Sequence, residues 1–262
     1  MLGKLMKYEF MAMGRVFLPL YGALLILSGA NTIFGLLDLQ TPAVIGIMIS
    51  VLLIIGILVV TFLLIIQRFW NNLLSSEGYL MMTLPVSTDK IILSKVIVAS
   101  IWTMASAIVV TLSILIMTVT GIDYAIIAEE IRGLLVLVPL SSNQISIIFA
   151  EVLLFTVLST VSSTMSLYAC MAFSMVANKH RWLVAIGSYI GLMTALQTVA
   201  AIFAAIGVSI GLFTDMERFL RSFTMFGQVQ IIILIVFLVE AVLCALYYFI
   251  TRFMLKNRLN LQ

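Results

Sequence analysis

The chain has 262 residues, of which 63% are hydrophobic and only 10% are charged, with a net charge of +3. A soluble domain is about 45–50% apolar and about 25% charged, so this composition excludes a water-soluble domain. The apolar runs are continuous and about 20 residues or longer, which excludes a transmembrane β-barrel with its short alternating segments. We therefore expect an all-α polytopic membrane protein, with the lipid bilayer as its solvent.

The first 15 residues mix apolar and charged positions. The apolar ones recur at near-helical spacing: Leu2, Leu5, Met6, Phe10 and Met13. The charged residues Lys4, Lys7 and Glu9 fall mostly on the other side of such a helix. This pattern predicts an amphipathic helix over residues 1–15 that lies in the membrane interface before the first span. The open alternative is a basic flank that only sets the orientation of that span.

Six apolar runs are long enough to cross a bilayer as helices. They lie near residues 17–34, 43–66, 96–119, 145–177, 182–213 and 229–251. The fourth run is longer than a bilayer needs and is expected to tilt or project. The fifth contains Gly187, Gly191, Gly207 and Gly211, which favour a broken or re-entrant end. The charged stretch 214–223 that follows is predicted to be a loop or a short surface helix.

Lysine and arginine are unevenly distributed between the two sides of the predicted spans. Of the 14 residues of these types, eleven flank one side and three flank the other. Because cytoplasmic loops carry such an excess of basic residues, both termini and the stretch 68–95 are expected in the cytoplasm. The basic balance follows from this orientation, so no nucleic-acid partner is expected. The predicted location is the plasma membrane, crossed several times, of a bacterial cell.

Two carboxylates, Glu151 and Glu240, lie inside predicted spans. A charge at mid-bilayer costs roughly 2.5–3.5 kcal/mol on the insertion scale, so each side chain should face protein or water. The functional interpretation is a proton or cation site, or a polar point on a substrate path. The structural alternative is a protonated or hydrogen-bonded glutamic acid that joins helices, and Glu151 can also reach the interface.

The sequence has neither the P-loop pattern G-x-x-x-x-G-K-[ST] nor the zinc-protease pattern H-E-x-x-H. The chain is therefore not expected to be an enzyme or to hydrolyse ATP by itself. Cys170 and Cys244 lie in apolar runs without a second ligand at metal-binding spacing, and His180 lies in a charged turn. No catalytic residue, metal site or cofactor of this chain is therefore predicted.

The stretch 68–95, RFWNNLLSSEGYLMMTLPVSTDKIILSK, is a polar interruption between the second and third spans. It has too few apolar residues to span and too many to be a free loop. Its pattern predicts a short amphipathic helix that stops near Pro85, followed by a turn in which Ser87 caps the third span. Such a helix can act as a lever that a soluble partner moves. The structural alternative is an interfacial loop without a partner.

The order of features resembles the ABC-2 type permease family, the transmembrane subunits of ATP-binding-cassette exporters. In that family an acidic residue and a glycine, a leucine-rich segment, a proline with a hydroxyl residue, and a lysine lie between spans two and three. This chain has the matching residues Glu77-Gly78-Tyr79-Leu80, Thr83-Leu84-Pro85-Val86-Ser87 and Ser94-Lys95. The family commonly has glycine before that lysine, where this chain has Ser94. The basic N-terminal segment also resembles the family's elbow helix.

The resemblance implies a single transmembrane domain over residues 1–262 that pairs with a second permease, the same or homologous, and with two ATPase subunits. ATP and Mg²⁺ would bind in the partner ATPase. The coupling helix would contact that ATPase through six residues: Glu77, Gly78, Tyr79, Leu80, Leu84 and Pro85. The implied function is export of a peptide, lipid or drug-like substrate.

Two other functions stay open at this point. One is a proton- or ion-coupled secondary transporter that uses Glu240 and Glu151. No internal repeat is visible, and the two halves of the sequence differ in loop length. Both observations weigh against an inverted-repeat carrier. The other is a membrane scaffold or sensor that transports nothing.

Overall fold

A computed structural model describes residues 2–71, 87–119, 129–130, 132–133, 140–177 and 180–257. Within these ranges it contains seven α-helices and no strand. In chain order they are α1 (Leu2–Leu36), α2 (Gln40–Phe69), α3 (Thr88–Thr118), α4 (Ser142–Phe173), α5 (Arg181–Ser209), α6 (Leu212–Arg221) and α7 (Met225–Asn257). Every one except α6 is long and apolar enough to cross a membrane, which confirms the six predicted spans.

Helix α1 is one continuous helix of 35 residues. At 1.5 Å per residue it is about 52 Å long, whereas the hydrocarbon core of a bilayer is about 30 Å thick. Residues 2–15 are continuous with the first span, so they are not a helix separate from it, and Pro19 lies inside α1 without ending it. That residues 1–15 lie in the membrane interface stays a prediction.

Helix α3 begins at Thr88, eight residues before the predicted start of the third span at residue 96. Ser87 is the N-cap residue as predicted, and its carbonyl oxygen accepts hydrogen bonds from the amides of Lys90 (2.9 Å) and Ile91 (3.3 Å). Its side chain makes no capping hydrogen bond, so that part of the expectation was wrong. The early start places Lys95 two turns inside the helix.

The broken end predicted for the fifth apolar run is confirmed, because the break lies at residues 210–211, inside the run 182–213. Helix α5 ends at Ser209, and Gly211, with a φ of 71°, precedes α6. This φ lies in the left-handed region that glycine adopts without steric cost. Helix α6 contains residues 214–221 of the charged stretch predicted as a loop or short surface helix, so most of that stretch is helical.

The chain divides into two compact units, which are described separately. In the first unit, α1, α2 and α3 pack on one another. Hydrogen bonds between α1 and α3 join Tyr21 to Ser106, Ser28 to Ser113, and Thr32 to the carbonyl of Ile116, at sequence separations of 85, 85 and 84 residues. The nearly constant separation shows that α1 and α3 run parallel. The first two pairs are seven residues apart on each helix, which is the repeat that keeps a seam facing its partner.

An aromatic cluster fills the same α1–α3 contact. The Trp102 ring of α3 lies 4.7 Å from the ring of Phe10 and 4.9 Å from that of Phe17. Gly14 permits this close approach, because a Cβ atom built there would lie 3.2 Å from Trp102. Such ring pairs add about 0.5–1.5 kcal/mol beyond the burial of their area.

In the second unit, α4 packs along α7 and also contacts α5. The Phe155 and Phe237 rings lie 5.6 Å apart, and Gln230 donates to Glu151. Between the two contacts the residue number rises on both helices, from 151 to 155 on α4 and from 230 to 237 on α7. Helices α4 and α7 are therefore parallel, as α1 and α3 are in the first unit. The single transmembrane domain over residues 1–262 stays a prediction.

Helix α2 packs tightly against the Asn31 side chain of α1 at Gly46. A Cβ atom built on Gly46 would lie 1.8 Å from Asn31 Oδ1, and the Asn31 amide nitrogen donates to Ser50 Oγ at 3.0 Å. The added methyl group of Gly46→Ala should displace the Asn31 side chain or push α2 away from α1. We expect it to lower the free energy of unfolding by about 1–3 kcal/mol. Unfolding in detergent micelles measures the change.

The matched control is Gly56→Ala in the same helix, where a Cβ atom meets nothing within 4 Å. Because alanine is about 0.8–1.0 kcal/mol better than glycine in a helix, this variant should be as stable as the parent or more so. Equal stability of the two variants would contradict the close α1–α2 contact.

Candidate functional site

The six residues predicted to contact an ATPase lie outside the described residues. They are Glu77, Gly78, Tyr79, Leu80, Leu84 and Pro85. The structure does describe both ends of the stretch 68–95: Arg68 lies in the last turn of α2, and Lys95 lies in α3. The candidate site is therefore built from the helices that enter and leave this stretch.

A buried ion pair joins these ends to α1. Lys95 Nζ lies 2.5 Å from Glu9 Oε1, and the two side chains are only 2% and 10% exposed. The same ammonium group donates to the backbone carbonyl of Arg68 at 3.4 Å. Since Glu9, Arg68 and Lys95 lie on α1, α2 and α3, one lysine side chain ties three helices together where the stretch begins and ends.

The environment of both charged groups of this pair differs from the prediction. The sequence pattern predicts Lys95 as a basic residue that flanks the third span, and Glu9 on the polar side of an interfacial helix. Both are buried. The signal that could have found them is the parallel register of α1 and α3, which places residue 95 opposite residue 9. That register depends on tertiary packing and is not visible in the periodicity of either helix.

A second junction joins the same three helices farther along the seam. The hydroxyl of Ser106 on α3 lies 2.6 Å from that of Tyr21 on α1 and 3.0 Å from that of Thr61 on α2. All three side chains are buried. Between helices in lipid, such hydrogen bonds contribute about 0.6 kcal/mol on average and up to about 1.7. The three hydroxyl groups therefore add a small contribution to the packing of the same three helices that the ion pair joins.

The position of Glu151 agrees with the structural alternative, a hydrogen-bonded glutamic acid that joins two helices. Gln230 Nε2 of α7 donates to Glu151 Oε2 of α4 at 2.8 Å, so the carboxyl group joins two helices. Glu240 is different. It lies half-buried on α7 and makes no hydrogen bond or ion pair with any residue in the described ranges. Ten residues of helix, about 15 Å, separate Gln230 from Glu240, so the two glutamates do not form one site.

An apolar cavity of about 250 Å³ lies within the second unit. Its lining residues come from α4, α5 and α7: Ala169, Cys170, Phe173, Ser188, Leu192 and Ile250. The Ser188 hydroxyl is already used in hydrogen bonds to the carbonyls of Cys170 and Ala185. The cavity therefore offers apolar surface and no arrangement of polar groups for catalysis.

One catalytic sequence pattern does occur in the chain. Residues 207–211 read Gly-Val-Ser-Ile-Gly, the G-x-S-x-G of hydrolases, which needs a strand-to-helix turn around the serine. Here Ser209 ends a helix, and its hydroxyl donates to the carbonyl of Ala205 at 2.8 Å. The chain's one histidine, His180, precedes the other end of α5, about 43 Å away along the helix. The geometry excludes a serine–histidine pair.

Comparisons of the chain with protein-family models, with curated proteins and with solved structures find no match. In the described part of the chain, no three His, Cys, Asp or Glu side chains group so that they could hold a metal ion. The functional assignment therefore depends on the geometry of the helices around residues 68–95 and on the residues between them.

Removal of one partner of the buried pair should be strongly destabilising. Lys95→Met leaves Glu9 buried without its cation, and loss of one member of such a pair costs about 3–5 kcal/mol. The double variant Glu9→Met and Lys95→Met leaves no unpaired charge and should recover most of that loss. Unfolding of the parent and of these two variants in detergent micelles measures both effects.

Lys90→Met is the matched control, because Lys90 is an exposed cation five residues earlier in the same helix. Its effect should be below about 0.5 kcal/mol. A loss in Lys95→Met no larger than in Lys90→Met would contradict the structural role of the pair.

Proposed function

We propose that the chain is the transmembrane permease subunit of an ABC-2 type ATP-binding-cassette transporter, powered by a separate ATPase subunit. The observation that supports this most is the Glu9–Lys95 pair with its bond to the Arg68 carbonyl. It ties together the two helices that flank residues 72–86, the stretch with the resemblance to a coupling helix, and fastens both to α1. Force applied to that stretch would therefore reach three helices at once.

In the proposed mechanism the partner ATPase supplies the energy, since the sequence has no P-loop. Closure of two ATPase subunits on ATP and Mg²⁺ pushes on the coupling segment around Glu77 and Leu80. Helices α1, α2 and α3 respond as one block, because two buried junctions hold them together. Rigid-body displacement of a block of helices is an established way to switch between two states of a membrane protein.

The proposed surroundings follow from the same assignment. The permease acts with a second copy or a homologous permease and two ATPase subunits in the cell membrane, with both termini in the cytoplasm. The proposed cargo is a peptide, lipid or drug-like molecule, and the proposed direction is export.

A test uses the chain co-expressed with an ATP-binding-cassette ATPase encoded beside its gene. Glu77→Ala and Leu80→Ala should reduce copurification of the ATPase and abolish the change in ATPase rate that the permease causes, because each removes part of the proposed contact. Glu217→Ala, an exposed acidic residue on α6, is the control and should change neither. Unchanged copurification and ATPase rate in both coupling variants would sink the proposal and leave a scaffold or sensor.

A second candidate function, a proton- or ion-coupled carrier, is favoured by one observation. Glu240 lies in the apolar helix α7 without a hydrogen-bonding partner among the described residues, and an intramembrane carboxyl group of this kind is typical of proton paths. Glu151, which bonds to Gln230, is less suited to that role.

Reconstitution of the chain alone in liposomes separates the two candidates. The permease proposal predicts no proton or substrate flux driven by a pH gradient without an ATPase. Flux that is present in the parent, lost in Glu240→Gln and retained in Glu217→Gln would overturn the permease proposal in favour of the carrier. A pH-sensitive dye trapped inside the liposomes measures the proton flux.

A further inference from the structure

A groove of about 270 Å³ runs between the N-terminal part of α1 and the facing surface of α3. Its lining is almost entirely apolar and includes one cation: Gly3, Met6, Lys7, Phe10, Met11, Val98 and Ile101. Phe10, Met11 and Ile101 are also exposed, at 42%, 45% and 43%. An exposed apolar groove with a lysine in its lining fits a ligand that has a hydrocarbon part and an anionic part.

The charge on this end of α1 differs from what the sequence suggests. In the sequence, the carboxylate of Glu9 offsets part of the charge of Lys4 and Lys7. In the structure Glu9 is turned inward and neutralised by Lys95. Lys4 and Lys7 are exposed and form no ion pair with a described residue. Among the described residues of this part of α1, the exposed charged side chains are therefore the cations Lys4 and Lys7.

We propose that this groove binds an anionic phospholipid of the leaflet that contains the N-terminal end of α1. One acyl chain lies against Phe10, Met11 and Ile101, and the phosphate lies beside the Lys7 ammonium group. A cationic segment at a membrane surface attracts anionic lipid with a strength of about 1 kcal/mol for each lysine. The inference requires only that the chain is a membrane protein, and it holds whether or not the chain is a permease.

The apolar lining argues for a whole lipid rather than a free phosphate group. Apart from Lys7, no lining side chain named above offers a hydrogen-bond donor to a phosphate oxygen. A single exposed lysine holds a soluble phosphate ester weakly, because an exposed ion pair is screened by water and salt. The apolar surface adds the burial of the acyl chain, which a free phosphate ester lacks.

Trp102 is a built-in reporter of the groove, because its ring lies 4.7 Å from that of Phe10, which lines it. The chain has three tryptophans, so Trp70→Phe and Trp182→Phe leave Trp102 as the one fluorophore of its type. The experiment measures quenching of Trp102 by phospholipids with dibrominated acyl chains, either anionic phosphatidylglycerol or zwitterionic phosphatidylcholine. The proposal predicts stronger quenching by the anionic lipid.

Lys7→Gln should reduce the preference for phosphatidylglycerol about fivefold, which corresponds to the loss of one lysine near the surface. Arg15→Gln is the matched control, an exposed cation on α1 outside the groove lining, and should keep the preference. Gly3→Leu should weaken quenching by both lipids. A Cβ atom there meets nothing within 4 Å, so a larger side chain can occupy the groove without distorting the helix.

The proposal would be overturned by equal quenching by the two lipids in the parent, by an equal loss in Arg15→Gln and Lys7→Gln, or by no effect of Gly3→Leu. Displacement of the lipid by glycerophosphoglycerol, which has the head group without acyl chains, would show a phosphate site and would also overturn it. Native mass spectrometry of the chain with all three tryptophans gives a second measurement. It should show more bound phosphatidylglycerol than phosphatidylcholine, and equal amounts would count against the groove.

Discussion

The first unit depends on two opposite charges that have been taken out of water. Desolvation of an ammonium and a carboxylate costs several kcal/mol for each ion, and their attraction offsets this only at close range. At 2.5 Å the groups of Lys95 and Glu9 are in direct contact, and the Arg68 carbonyl accepts a further hydrogen bond. The pair therefore fixes the position of α1 relative to the ends of α2 and α3, because any separation of these helices would leave a buried charge unpaired.

Both units hold parallel helices together through polar side chains and ring contacts, and the described residues of the first unit form the longer polar seam. In the first, polar side chains form a seam from the ion pair through Ser106 to Ser113, and apolar rings fill the space beside it. In the second, α4 and α7 are joined by the Glu151–Gln230 bond and by ring contacts. Without a hydrophobic driving force between helices in lipid, such polar contacts and close packing supply the specificity of association.

The parts of the fold that the sequence predicts well are those set by composition and local chemistry. Long apolar runs fix the number of spanning helices, and Gly211 fixes the break before α6. The sequence misplaces a helix boundary where a charged residue lies inside a helix. Hydropathy predicts that the third span begins after Lys95, although the helix already begins at Thr88. The burial of Glu9 was missed for a related reason. Its partner lies 86 residues away, and no local pattern reports a pairing of that kind.

The Lys95–Glu9 pair holds α1 against α3. The most direct test is the distance distribution between spin labels at Tyr8 and Lys90, both exposed, measured by double electron–electron resonance in a chain with Cys170 and Cys244 replaced by alanine. We expect a single narrow distribution with Lys95 present, and a broad distribution or a second population in Lys95→Met. The same narrow distribution in both proteins would contradict the account.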